Sequence, residues 1–500
     1  MKMSFKFPYT KIIPLLLIFL ISLPKRLIFP FNNLFAFNYD QGRDFLAVSK
    51  IIYEKDLTLI GQTTGLQGVF YGPWWYYFLA PLIYVFGGDP QKVAIALALF
   101  GAITVVATYL LLKTLTNNSL ISFALSIVVA ISNLWMFGPV HIWHPSITPL
   151  LLIVFVYILH KIVSHPKPLY YFALGIVAFL AIDTSASFGF IFAIYLLISP
   201  FIFKKQLLRK EYLLVLLGAF LILSPRLIFE FKNNFLISKS VISILTNPPL
   251  HFHQISIYER LTERPLQYLR IIAEGFTRNV EIIGLVFIVA VMLMLIKTLL
   301  GKTYLKIRQD FIFLYLVYLI VITLIFFTIY PASVWDYYLV GMPTIFLVLI
   351  AKILGYASKN RNLKRYVFVI LGSLIILNIR SNLLPPYTAN WQGDGGTYNN
   401  EKKVVDYISE QNPHDYSVYA YSPAIYDYPF DYLLYWYERR GNLQKPKDNQ
   451  SLMYLIIREA STRKYLTTGW YGDKTRDKTE VIHVEEFPGD LIVEKHIRVD

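Results

Sequence analysis

The stretch that decides the architecture is Val69–Phe86, VFYGPWWYYFLAPLIYVF. It is as apolar as a membrane span, yet it holds two prolines and six Trp or Tyr residues. That density belongs to the membrane–water interface, where amphipathic rings sit at headgroup level. If this stretch lies flat, the main basic clusters of the chain fall on one side. They are Lys2/Lys6/Lys11, Lys113, Lys161/Lys167, Lys204/Lys205/Arg209/Lys210, Lys297/Lys302/Lys306/Arg308 and Lys352/Lys359/Arg361/Lys364/Arg365. If it crosses, every later cluster flips and the N-terminal basics stand alone. Cytoplasmic loops are enriched in Lys and Arg, so the flat reading is the consistent one. Lys25/Arg26, near the outer end of the first span, are the exception.

A span needs ~20 mostly apolar residues. On the flat reading eleven apolar segments remain, near 11–29, 91–112, 119–138, 147–162, 169–183, 184–203, 211–229, 279–299, 311–330, 335–354 and 365–384. The N-terminus is then cytoplasmic and the C-terminus extracytoplasmic, in a multi-pass protein of the plasma membrane. The stretch around Pro24–Ala36 has no A-x-A-like cleavage site, so the first segment reads as a retained anchor. Two long outer loops, about 30–90 and 231–279, are too apolar and aromatic to be linkers and read as juxtamembrane helices.

Composition agrees. Of 500 residues, 56% are hydrophobic and 16% charged, against about 25% charged in a typical soluble domain. A soluble globular enzyme, a disordered chain and a fibre are excluded. There is no cysteine, which removes disulfides, thiolate metal sites and a Cys nucleophile. The net charge of +15 is unevenly placed. Residues 391–500 hold 14 basic and 18 acidic residues, so the surplus lies in the apolar part. There it is a topology signal, and nucleic acid is not an expected partner. The polar tail reads as a small soluble α/β domain, with a boundary at Pro385–Pro386 and Gly393–Gly396. The chain thus divides into 1–387, an all-α polytopic membrane domain, and 388–500. In the tail, Ser417–Ser422, Leu452–Arg458 and Leu491–Ile497 read as strands, and Glu401–Gln411 and Asp431–Arg439 as helices.

On this topology only Glu211 and Asp310 of the membrane part's acids face the cytoplasm, and the rest line outer loops. The expected picture is a wet, acid-lined cavity at the outer leaflet, suited to chemistry on a lipid-borne substrate. The first motif is Asn38-Tyr39-Asp40-Gln41-Gly42-Arg43-Asp44. A carboxylate at the membrane edge suits a general base, and a guanidinium matches phosphate oxygens. The plainer reading is an Asx turn with Asp40 as N-cap of a helix Gly42–Tyr53. Gly68–Pro81, with Tyr71 and Trp74, reads as a sugar or lipid groove or as a plain aromatic belt. His141-Ile142-Trp143-His144 has two histidines but no nearby acid or cysteine, which argues for substrate contact or interfacial capping over zinc. Arg226, Glu230 and Lys232 follow Pro225 at the outer membrane edge. An ionisable residue there is a functional candidate, although Arg226 and Glu230 are also spaced to pair along a helix. Asp336 and Tyr338 open the tenth span, with Asp336 either a sugar ligand or a helix-dipole acid. Asp183 reads as a turn cap. There is no P-loop, no GxSxG and no HExxH.

These residues resemble the GT-C glycosyltransferases that use polyprenyl-phosphate sugars, the protein O-mannosyltransferase and lipid A aminoarabinose transferase group. The resemblance covers about residues 5–385. Asp40-Gln41-Gly42-Arg43-Asp44 is similar to that family's "DE-x-R-Y" string in the first outer loop. Tyr71-Gly72-Pro73-Trp74-Trp75-Tyr76-Tyr77 is similar to its "KPP-x-x-YW" stretch. The run from Pro225 through Phe229-Glu230 to Phe235 resembles "P-x-x-x-FE-x-x-x-x-F", and Tyr338-Leu339…Pro343 resembles "YL-x-x-x-P". The resemblance implies a GT-C-like fold and a cell-envelope enzyme moving a hexosyl or pentosyl group, as a mannosyltransferase does. The donor is a polyprenyl-phosphate sugar and the acceptor a hydroxyl of a glycan, lipid or protein. Asp40 aligns with the base and Arg43 with the arginine near the lipid phosphate. Asp44, Tyr71, Trp74, His144, Arg226, Glu230, Lys232, Asp336 and Tyr338 are then substrate-binding candidates. No cofactor is required, and a divalent cation stays open. Gln41 stands for the usual second acid, and Gly72 for a common phosphate-binding lysine. Arg226, Lys232 and Arg43 are the cations available instead. The rival readings are a transporter or flippase and a non-catalytic partner of the same fold.

Overall fold

A computed structural model describes residues 9–132, 142–246, 255–276, 281–300, 304–382, 392–422, 426–476 and 479–499. His141, Lys2, Lys6, Lys302 and Pro385–Pro386 lie outside them.

Helix α1 is Tyr9–Phe31, α2 Tyr39–Ser49 and α3 Trp74–Val85. Helices α4 Pro90–Thr116, α5 Ser119–Ile131, α6 Thr148–Ser164, α7 Pro168–Thr184, α8 Ala186–Ile202 and α9 Leu213–Lys232 follow. The second outer loop contains α10 Leu236–Thr246 and α11 Ile257–Phe276. Then come α12 Glu281–Leu299, α13 Phe311–Ile329, α14 Met342–Ala357 and α15 Arg361–Asn382. Each of the eleven expected segments contains a helix, and the tenth begins later than expected, at Met342 after a 3-10 turn at Asp336–Leu339. Seven of these helices are long and apolar enough to cross a membrane, and α5, α7, α8 and α14 are shorter apolar helices. The surfaces of α1 and α9 expose Ile13, Leu16, Leu17, Leu213, Leu217 and Phe220, an arrangement stable against lipid and not against water.

Val69–Phe86 behaves as its composition requires. Its helix α3 has 12 residues, about 18 Å at 1.5 Å per residue, too short for a hydrocarbon core of about 30 Å. Trp75, Tyr76, Leu79 and Ile83 are buried in a core separate from that of the spanning helices.

The C-terminal unit contains α16 Tyr398–Glu410, β1 Tyr416–Tyr421, α17 Tyr428–Arg439, β2 Leu452–Arg458, β3 Thr479–Phe487 and β4 Leu491–Arg498. The sheet order is β1-β2-β4-β3, with β1 parallel to β2 and the other pairs antiparallel. Strand β3, unforeseen in the sequence, is an edge strand whose residues are mostly exposed, so it lacks the buried face that makes a strand legible.

The unit is not a detached appendage. Its Tyr398, Phe430, Tyr432, Leu433 and Trp436 share one core with Phe35, Phe37, Phe45 and Val48 around α2. Main-chain bonds join the two: Phe37 N–H donates to Gly396 O at 2.9 Å and Tyr398 N–H to Phe35 O at 3.0 Å. Helix α17 lies directly on α2 at Gly42, where a Cβ would meet Tyr428 C and Pro429 N at 2.4 Å. The glycine in the first motif is therefore a packing requirement.

Candidate active site

Helix α2 begins one turn earlier than its sequence suggests. Its N-cap is Asn38, whose side-chain oxygen accepts the Asp40 N–H at 3.3 Å, while Gln41 Oε1 accepts the Asn38 N–H at 3.0 Å. This capping box corrects the reading of Asp40 as the cap. The Asp40 carboxylate, freed from the backbone, projects from the first turn with its side chain 38% exposed. Gln41, in place of a second acid, is buried, and its Nε2 donates to Ile142 O at 3.2 Å.

Arg43 bridges two carboxylates. Its Nη1 lies 3.0 Å from Asp40 Oδ1, and its Nη2 2.9 Å from Asp44 Oδ1. Asp44 is buried and also accepts the Trp75 indole N–H at 2.8 Å. Burial pushes the Asp44 carboxyl up to about 6, against the opposing pull of Arg43. Burial works against charge on Arg43, but Asp44 and Asp40 outweigh it and hold the guanidinium above its ordinary value. The two acids thus have different work: Asp44 anchors the arginine, and Asp40 faces solvent.

The Tyr71 ring packs on the His144 ring, centroids 4.6 Å apart, and its neighbours include Tyr338, Asp40 and Arg43. Burial pushes the Tyr71 hydroxyl up to about 12, so it stays a donor. His144 is buried and opens a 3-10 turn ahead of α6. The structure therefore brings Asp40, Arg43, Asp44, Tyr71, His144 and Tyr338 together.

A second cluster adjoins through Gly72. Asp183 is buried at the end of α7, and its Oδ1 accepts the Gly72 N–H at 3.1 Å. Arg226 Nη2 from α9 meets the same oxygen at 2.6 Å. A turn-capping role for Asp183 and an Arg226–Glu230 pair are both corrected. Reach decides this: Asp183 lies beside Arg226, whereas Glu230 turns to the start of α10. There it accepts the Ile237 and Ser238 N–H groups at 2.7 and 2.9 Å. Trp74 is tied to α9 through its indole N–H, 2.8 Å from Ile222 O. Lys232 is exposed at the C-terminal end of α9 and does not join the cluster.

Asp336 accepts Gln267 Nε2 at 2.9 Å and lines an apolar cavity with Arg26, Phe100, Ile147, Glu274 and Pro343. Arg26, which sits awkwardly in the topology, is buried there and donates to Ala130 O at 2.8 Å. Sequence reasoning missed Trp75 as the partner of Asp44, and Asp183 as the partner of Arg226. No group of three His, Asp or Glu positions suited to a metal occurs among the described residues. Asp40 and Asp44, the acids of the first motif, are both paired with Arg43.

Two crystal structures of ArnT from Cupriavidus metallidurans superpose on the chain. The one bound to undecaprenyl phosphate gives a TM-score of 0.59 at 11% identity, covering 98% of each chain. The apo form gives 0.55 at 11% identity over 97% of each. The fold is that of ArnT. Residues 71–229 also match the family model for dolichyl-phosphate-mannose-protein mannosyltransferases. No curated protein matches the chain in sequence. The match to the family model contains Tyr71, Gly72, His144, Asp183 and Arg226, so the second cluster falls within it, whereas the α2 motif lies before it.

Proposed function

We propose that the chain is a membrane glycosyltransferase that moves a sugar from a polyprenyl-phosphate donor to an acceptor hydroxyl on the extracytoplasmic side. The observation that carries the proposal is the division of labour on α2: a half-exposed Asp40 joined through Arg43 to a buried Asp44. Asp44 is tied down by Arg43 and Trp75, whereas the side chain of Asp40 stays 38% exposed and within reach of a substrate. The ArnT fold supports the donor class, because one of the two similar structures holds undecaprenyl phosphate.

Asp40 takes the proton of the acceptor hydroxyl as that oxygen attacks the anomeric carbon. The new carbon–oxygen bond forms opposite the breaking one, so the configuration inverts. The bond to the phosphate oxygen breaks with its electron pair, and polyprenyl phosphate leaves. Arg43 stabilises the charge that develops on the leaving phosphate, and a fixed, desolvated guanidinium does this without reorganising. Arg226, held by Asp183 beside the backbone of Gly72, supplies the cation that a lysine at position 72 would bring. Tyr71 and His144 wall the site. The N-terminus is cytoplasmic and the C-terminal unit extracytoplasmic in this reading.

The test is transfer of labelled sugar from a set of polyprenyl-phosphate sugars by purified protein in lipid. Wild type should transfer from one of them, and Asp40→Asn should not. Equal transfer by both proteins removes Asp40 as the base. Absence of transfer from every donor, with the fold intact, returns the chain to the transporter or inactive-partner reading.

A further inference from the structure

Between the start of α2 and the C-terminal unit lies a cleft of about 430 Å³ that the steps above do not use. Four pieces of chain meet there: Asn38–Tyr39, the turn Asp394–Gly396, and the segments at Tyr426–Asp427 and Arg458–Glu459. Its first feature is a line of rings, of which Tyr39 and Tyr426 line the cleft. The Tyr39 and Tyr428 centroids are 4.9 Å apart, and Tyr428 stacks on Tyr426 at 5.7 Å and 23°. On its other side Tyr39 faces the Arg43 guanidinium at 5.6 Å. The row therefore starts at the arginine that touches Asp40 and ends at Tyr426, which is 58% exposed. Aromatic faces are negative and broad, and they suit the C–H face of a sugar ring.

The second feature is charge. Asp394, Asp427 and Glu459 line the cleft against one cation, Arg458. That cation is already committed: its Nε and Nη2 meet Asp427 at 2.7 and 3.0 Å, and Nη2 meets buried Glu401 at 2.6 Å. Glu459 is exposed and held at φ 52°, a left-handed conformation unfavourable for a non-glycine residue. Ionised carboxylates only accept hydrogen bonds. With Asp427 paired to Arg458 and Asp394 accepting from Gly396 and Thr397, Glu459 is the exposed acid of the lining, and it favours hydroxyl or ammonium donors over acids.

We infer that this cleft binds the carbohydrate of the acceptor, as a neutral or amino sugar, and presents its hydroxyl to Asp40. The inference rests on the transfer reaction proposed above and names its acceptor class. It also assigns the C-terminal unit a part in substrate choice.

The test is made without donor, on the full chain in lipid nanodiscs, by saturation-transfer NMR with three disaccharides: of glucose, of glucosamine and of galacturonic acid. The first two should bind and the third should not. Tyr426→Ala should weaken binding at least tenfold, and Glu459→Lys should admit the acidic disaccharide. Each sugar is also offered as an alkyl glycoside in the disc. Dependence on Tyr426 supports the cleft for either form, and the tighter form names the acceptor's carrier. The inference falls if no disaccharide binds, or if Tyr426→Ala and Glu459→Lys both bind as wild type does. Binding without transfer would sink the reaction and leave the cleft, and transfer without binding would do the reverse.

Discussion

The carboxylate of Asp183 occupies the space that any side chain at Gly72 would need: a Cβ there would lie 2.2 Å from Oδ2. Backbone and carboxylate are joined by the Gly72 N–H, and Arg226 closes the group from α9. Position 72 is therefore glycine because the space beside it is filled by residues from two other helices.

Gly72→Ala should displace Asp183 and loosen Arg226. Overpacking of this kind costs roughly 1–3 kcal/mol. Asp183→Ala leaves Arg226 buried without its partner, which costs about 3–5 kcal/mol. Because both act on one cluster, the double variant should lose less than the two losses added. Thermal unfolding of the four proteins in lipid measures this, and additive losses would contradict the shared cluster.

The two acids of α2 should separate by what they damage. Asp40→Asn should lower transfer by about 10²–10⁴-fold, the range for a positioned base, with Tm almost unchanged, since an exposed ion pair contributes at most about 1 kcal/mol. Asp44→Asn should lower both Tm and transfer, because Arg43 and Trp75 lose their common anchor. Equal Tm losses in the two variants would argue against this division.

Transfer should also report the Asp44 proton. Burial raises its carboxyl to about 6, so it is charged above that pH and neutral below. As pH falls through 6, Arg43 loses the Asp44 charge and is left paired with Asp40 alone, and the rate should drop. A rate profile from pH 4.5 to 8 should show this step in wild type. In Asp44→Asn the step should vanish, with a low rate throughout. A profile with the same inflection in both proteins rules out the assignment.

Gly42→Ala should lift α17 from α2, because the added methyl would meet backbone at Tyr428 and Pro429. Backbone cannot turn aside as a side chain can. Hydrogen exchange should therefore quicken in both α2 and α17. Protection unchanged in α17 would mean that the contact is not needed.

Glu401 gives a pH test of the C-terminal unit. Burial pushes its carboxyl up to about 8, against the pull of Arg458. The native state then holds a proton that the unfolded chain releases near pH 4.5, so wild-type stability falls as pH rises from about 4.5 to 8. Glu401→Gln cannot ionise and lacks this slope. Its Tm should match wild type at pH 5 and exceed it at pH 8. A gap that does not grow with pH would refute the raised value.

Much of this molecule is legible without coordinates. The apolar segments, the short helix within Val69–Phe86 and most elements of the C-terminal unit follow from length, polarity and local pattern, because solvation and hydrogen bonding within an element are short-range. Asp40 and Arg43 stand out for the same reason: two charges beside a span are costly enough to need a purpose. The partners of these charges are another matter. Trp75 holds Asp44 across 31 residues, Gly72 meets Asp183 across 111, and Arg226 reaches Asp183 across 43. No local pattern encodes such pairs, since a buried charge is satisfied by whatever the packing of helices brings to it. The sequence alone determined a multi-pass helical chain with an acid and an arginine at one membrane edge. Only the tertiary structure decided which acid is buried and which is exposed, and seated the C-terminal unit on the helix that carries both.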